Sequence, residues 1–153
     1  MSDGGMSQTD FLFLIAVLAT AGSAVSGYLT WQWYQESTAD WCDVNSYFSC
    51  SRVRDSPYAH IGPVPTAAVG LAGFLVLLAL AVIVLRGVNR LGPWPPERWL
   101  LAFAIVGALI GATLTVVEVL VIEAVCILCA IGFALDLGIL GLAVLLVRVP
   151  SRI

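Results

Sequence analysis

The sequence predicts an all-α integral membrane protein, a bundle of four transmembrane helices with an extracytoplasmic loop between helices 1 and 2 as its cap. Three observations carry that prediction. Hydrophobic residues make up 60% of the 153 residues and charged residues only 11%, and mean hydropathy is +0.98. A soluble domain of this size cannot bury so much apolar surface. The apolar residues fall into four runs of about 20, the length that crosses ~30 Å of hydrocarbon. Each run is apolar around most of its circumference rather than along one stripe, as a helix bathed in lipid should be.

Helix 1 is expected over 11–33. The stretch before Phe11 carries Asp3 and Asp10 but neither Lys nor Arg. It therefore lacks the positive region of a cleaved secretory signal, and the helix is read as permanent. Tyr28, Trp31, Trp33 and Tyr34 form an aromatic belt at its end. The loop 34–64 follows and holds most of the Ser, Asp and Asn. A polar loop of about 30 residues is more often functional than idle, and its stretch 47–54 is expected to form a short helix on the membrane surface. Gly62, Pro63 and Pro65 break the chain. Helix 2 then runs over 65–85, with Pro65 in the first turn, where its missing N–H is harmless. Helix 3 covers 99–119, flanked by Trp94 and Trp99. Within it, Gly107 and Gly111 make a Gly-x-x-x-Gly that permits close helix packing. Glu118 and Glu123 bracket the next link and are read as interfacial. Helix 4 covers 126–147. No repeat or low-complexity segment interrupts the chain, and 1–153 reads as a single membrane domain in its lipid bilayer.

Charge sets an orientation. All seven basic residues other than His60 are Arg, net charge is −3, and no basic run suggests nucleic acid as a partner. Arg86, Arg90 and Arg98 lie between helices 2 and 3, and Arg148 and Arg152 follow helix 4. Arg52 and Arg54 lie in the first loop, and the link between helices 3 and 4 has none. The positive-inside rule puts both termini in the cytoplasm of a cell-membrane protein, with the first loop and the start of helix 4 on the outer face.

All four cysteines then fall on the oxidising side, where disulfides persist. Cys126 and Cys129 form Cys-Ile-Leu-Cys at the head of helix 4. Residues at i and i+3 share a helix face at about 5–6 Å, near disulfide geometry. The N-terminus of a helix stabilises a thiolate. A disulfide closing so small a loop adds little chain-entropy stabilisation, so the pair reads as a reactive dithiol rather than a staple. Two small buried hydrophobes are the plain alternative. Cys42 and Cys50 in the loop could be a structural disulfide. Beside the helix pair they read as a mobile dithiol in a relay, passing electrons by thiolate–disulfide exchange. A zinc site, with His60 as a fifth candidate ligand, is disfavoured by the wide first spacing and the apolar helix around the second pair. An intramembrane acid is costly and marks function by default. Cys129, Phe133 and Asp136, at i, i+4 and i+7, share one face, and this face is a candidate lining for a quinone pocket. The other reading of Asp136 is a neutral acid hydrogen-bonded to a neighbouring helix.

These residues resemble the vitamin K epoxide reductases and their prokaryotic homologues. The resemblance rests on Cys42-Asp43-Val44, Ser49-Cys50-Ser51-Arg52-Val53, Ser56 and the Cys126/Cys129 pair, with the loop pair before the helix pair across nearly the whole chain. It implies a four-helix bundle around a quinone, capped by the first loop. It implies that Cys42 meets the partner's thiols, that Cys50 exchanges with Cys126, and that Cys129 is the thiolate facing the quinone. Val53 and Ser56 would approach the ring from the loop side. Phe133 stands where the animal enzymes carry a Tyr that hydrogen-bonds the substrate, and the Asn-containing stretch before helix 2 is absent. Both departures favour plain quinone reduction over epoxide reduction. The sequence ends at Ile153 without the thioredoxin-like domain fused to many bacterial members. The expected electron donor is therefore a separate extracytoplasmic thioredoxin-fold (DsbA-like) protein. The expected acceptor is menaquinone, ubiquinone or a related quinone, with no metal, and the activity supports disulfide formation. In the DsbB-type oxidases the order of the two cysteine pairs is reversed. From another class, the rival is a non-catalytic tetraspan protein with structural disulfides.

Overall fold

The computed structural model describes residues 7–34, 60–61, 64–88, 90–123 and 127–148. Helix α1 spans Gln8–Trp33. Strands β1 (His60–Ile61) and β2 (Val64–Pro65) pair antiparallel, with His60 opposite Pro65 and Ile61 opposite Val64. Helix α2 spans Thr66–Leu85, α3 Pro96–Val117, and α4 Ile127–Arg148. A π-helical turn, Glu118–Ile122, extends α3.

Each boundary has a local cause. α1 begins three residues before the first apolar position because Ser7 and Asp10 close a reciprocal cap. The Asp10 N–H donates to Ser7 Oγ at 3.3 Å and the Ser7 N–H to Asp10 Oδ2 at 3.0 Å. Helix 3 likewise starts earlier than hydropathy suggests. Pro95 is extended (φ −65, ψ 151) and Pro96 opens the helix, a position that needs no N–H and suits a fixed φ. Pro65 corrects the expectation for helix 2. It is a strand residue paired with His60, and the helix starts at Thr66. A proline fits such a two-residue edge strand because it has no donor to leave unpaired. At the far end of α3 the chain stays helical past 119 by widening into the π turn. It stops at Glu123, whose left-handed conformation (φ 57, ψ 34) sends its N–H back to Glu118 O. The expected short helix over 47–54 lies outside the described residues.

The four helices run up and down in a ring. α1 packs on α2 and α4, and α3 on α4 and, more lightly, α2. At the first end, Gln8 Nε2 donates to Glu97 Oε1 at 3.2 Å, tying the starts of α1 and α3. The same end carries the α2–α3 turn. There the Leu91 N–H donates to Trp94 O at 2.9 Å and the Trp99 indole N–H to Leu91 O at 2.7 Å. Trp94, Trp99 and Phe103 stack at 5.1 and 6.3 Å between centroids. Arg86, Arg90, Arg98 and Arg148 all belong to this end. All four helices are long and apolar enough to cross a membrane. Large apolar side chains such as Phe13, Leu109 and Leu120 stand exposed around the ring, a surface that only lipid covers at low cost. The chain is a multi-pass membrane protein.

The apolar core is concentrated in one half of the bundle. It comprises Phe11, Leu12, Ile15 and Ala19 of α1, Phe74, Leu77, Leu80 and Ala81 of α2, Leu100 and Ala104 of α3, and Ile139, Ala143 and Leu146 of α4. Among the described residues all but Phe74 lie in the half nearest the arginines, and Phe74 sits just past the middle of α2. Since lipid is as apolar as leucine, packing rather than water exclusion holds such helices together. Close approach is therefore decisive. The Phe74 ring lies flat on Gly22, in space that any Cβ there would occupy.

Candidate functional site at the cysteine end

The opposite half holds apolar side chains such as Leu71 and Phe133 together with several glycines and buried polar groups. Its fully buried polar side chains, among the described residues, are Ser26, Glu118 and Asp136. α1 contributes Gly22, Ser26 and Gly27 at intervals of four and one. α2 contributes Gly70 and Gly73. A Cβ on Gly70 would lie 3.4 Å from Ser26 Oγ, so α1 and α2 touch there. Gly132 and Gly73 differ. Gly132 sits four residues before Asp136 and seven before Ile139, on the inward stripe of α4. Gly73 sits four before Leu77 and seven before Leu80, on the inward stripe of α2. A Cβ on either would meet nothing within 4 Å among the described residues. Both glycines are half-buried, so among the described residues there is unfilled room beside each of them.

One wall of this half is the seam between α3 and α4. Gly107, Gly111, Thr115 and Glu118 follow at intervals of four, four and three, on the stripe that also carries Leu100 and Ala104. A Cβ on Gly107 would lie 3.0, 3.1 and 3.2 Å from Oδ1, Oδ2 and Cγ of Asp136, and one on Gly111 would overlap the Phe133 ring. The Gly-x-x-x-Gly thus does more than let two backbones approach. It makes two sockets, one for a carboxyl group and one for a ring. Within the Asp136 carboxyl, Oδ2 is buried and has no hydrogen-bond partner among the described residues. Thr115 Oγ1 donates to Gly111 O at 2.8 Å. The same antiparallel register, continued one turn, brings Cys129 level with Thr115.

Cys129 is the third residue of α4, half-buried in its first turn. The backbone N–H groups of that turn have no partners within the helix and favour a negative sulfur. The long first link leaves from the end of α1 and returns through the β1–β2 hairpin to the start of α2. It therefore departs from and rejoins the bundle at the end that holds Cys129. Of the residues singled out from sequence, Cys129, Phe133 and Asp136 come together here on one face of α4. Cys42, Cys50, Val53, Ser56 and Cys126 lie outside the described residues. Glu123 is exposed, as an interfacial acid should be. Glu118 is buried instead, at 6% exposure, because it continues the inward stripe of α3. That stripe was readable in the sequence, as were the inward positions of Gly132 and Gly73. What could not be read was that no described residue fills the space in front of those two glycines.

Residues 13–144 match the Vitamin K epoxide reductase family, a span that starts in α1 and ends in α4 and so takes in every helix and link described above. By that match the chain belongs to the vitamin K epoxide reductase family, whose general activity is that of a membrane thiol–quinone oxidoreductase.

Proposed function

We propose that this protein relays two electrons from the dithiol of a thioredoxin-fold partner, through two cysteine pairs, to a membrane quinone, and so supports disulfide formation. A partner thiolate attacks the Cys42–Cys50 disulfide. The reduced loop pair reduces the Cys126–Cys129 disulfide through a mixed disulfide between Cys50 and Cys126. Cys129, as the thiolate, delivers the electron pair to the quinone. The partner leaves oxidised, and the quinone leaves as quinol with two added protons. The observation that carries this reading is the position of Cys129 in the first turn of α4, on the face of Phe133 and Asp136 and near half-buried Gly132, beside which there is room among the described residues. A flat ring entering from lipid could occupy that space. Phe133 and Asp136 border it from α4, and Val53 and Ser56 are proposed to close it from the loop. Phe133 has no hydroxyl to donate, which supports plain quinone reduction. The arginines of the opposite end support a topology with both termini in the cytoplasm and the cysteine end outside.

The test is quinone reduction by the purified protein, driven by a reduced thioredoxin-fold donor. Turnover is expected with menaquinone or ubiquinone analogues and should fall to background in Cys129→Ala. Absence of wild-type turnover with either quinone class, together with cysteines that stay oxidised and form no mixed disulfides in cells, would instead identify a tetraspan protein with structural disulfides.

A further inference from the structure

Resting on the thiol–quinone reading, we propose that Asp136 is the acid that protonates the quinone as it is reduced, and that the α3–α4 seam, with Glu118 at its outer end, is the route by which that proton is replaced. The electron donors do not supply enough protons by themselves. When Cys129 reacts as a thiolate, Cys129 and Cys126 together carry one proton and two electrons, and a quinol needs two of each. The balance closes if a carboxylic acid gives the second. Cys129 thiolate, Cys126 thiol, quinone and the Asp136 acid become the Cys126–Cys129 disulfide, quinol and the Asp136 carboxylate. Net charge is −1 on both sides.

Four features of the structure point to Asp136. It shares a helix face with Cys129, seven residues or about 10 Å along the axis, a separation that one quinone ring can largely bridge. It sits where the apolar core ends, four residues beyond Gly132 and the open space that glycine faces. Its carboxyl is 6% exposed, with Oδ2 unpartnered among the described residues. An orphaned buried acid of this kind calls for a functional explanation. Finally, Gly107 lets the carboxyl lie against the α3 backbone, so close that a Cβ there would come within 3.0 Å of Oδ1. The titratable groups along the seam are Asp136 and Cys129 on α4 and Glu118 on α3. The described arginines all belong to the opposite end, and the other described basic residue, His60 in the β1–β2 hairpin, is at the cysteine end. Glu118 is buried on the same stripe as Gly107 and Gly111, and begins the π turn that opens toward exposed Glu123. The span from Glu118 to the level of Asp136 is about 16 Å along α3. The Thr115 hydroxyl lies between them, and water entering the cysteine half would complete the path.

Asp136→Asn keeps the shape and removes the acidic proton. With a short-chain ubiquinone as probe, kcat is expected to fall about 100-fold, in the range general acids contribute. KM should stay within about threefold of wild type, and reduction of Cys126–Cys129 by the donor should be unchanged. Glu118→Gln should leave the first turnover of pre-reduced protein at wild-type rate and slow the later ones. Unchanged kcat in Asp136→Asn overturns the proposal, as does a raised KM with kcat kept, which would make Asp136 only a wall of the pocket. Should Asp136→Asn fail to fold, Glu118→Gln decides: steady-state turnover equal to wild type overturns the proposal. Failure of the wild type to reduce quinone at all would instead remove the thiol–quinone reading beneath it.

Discussion

Replacing Gly132 by alanine separates the space proposed for the quinone from the scaffold around it. In a helix interior, alanine is favoured over glycine by about 0.8–1 kcal/mol. At Gly132 the new methyl meets no described residue within 4 Å, so that gain is not offset by a clash. The bundle should become more stable, with Tm in detergent up by about 2–4 °C. The same methyl occupies space proposed for the quinone. Overfilling a packed site costs about 1–3 kcal/mol, which corresponds to a roughly 5- to 150-fold rise in quinone KM at about 1.4 kcal/mol per tenfold. Gly141→Ala is the control. Gly141 also has no described residue within 4 Å of a Cβ but is exposed on the opposite face of α4. It should gain the same stability without any change in KM. Thermal unfolding followed by circular dichroism and steady-state quinone titrations measure both quantities. If Gly132→Ala and Gly141→Ala show the same KM, the open space at Gly132 does not hold quinone, and the proposed quinone site is misplaced.

Two further outcomes follow from packing and hydrogen bonding. Gly111→Ala forces its methyl into the Phe133 ring and should lower stability by about 1–3 kcal/mol in the same melts. Adding Phe133→Leu should recover part of that loss, and a single variant as stable as wild type would refute the socket. Trp99→Phe removes the 2.7 Å indole hydrogen bond to Leu91 O and should cost about 0.5–1.5 kcal/mol. Quinone turnover at saturating donor should not change, because that bond lies at the end remote from Cys129.

The four helices were legible because crossing hydrocarbon imposes a length and a composition on each segment, and both are local properties. Their ends were less legible. At Gln8 the helix is started by a polar cap rather than by hydrophobicity, although Ser7 and Asp10 stand at the capping-box spacing. Pro65 is equally acceptable in a first helical turn and in an edge strand, and only pairing with His60 decides between them. The shared face of Cys129, Phe133 and Asp136 follows from helical periodicity alone. That Gly107 and Gly111 receive two of those same side chains depends on the register between α3 and α4, which no single segment encodes. The burial of Glu118 was obscured by the usual meaning of a carboxylate near a helix end. Its place on the stripe of Leu100, Ala104, Gly107 and Gly111 would have revealed it.

A bundle whose described apolar core is concentrated toward one end has thermodynamics unlike those of a uniform one. Helix contacts near the arginines are made by large apolar side chains, whereas those in the cysteine half run through glycine seams, and by the proposed function a quinone would add to them. A ligand that binds only the folded form adds RT ln(1 + [L]/Kd) to stability, about 2.7 kcal/mol at a hundredfold excess over Kd. The acceptor is then also a removable part of the protein's interior. Detergent that strips lipid-soluble molecules would loosen the half that does the chemistry while sparing the half that anchors it. In the cell, the size of the quinone pool would set how much of the protein stands fully assembled, as well as how fast it turns over.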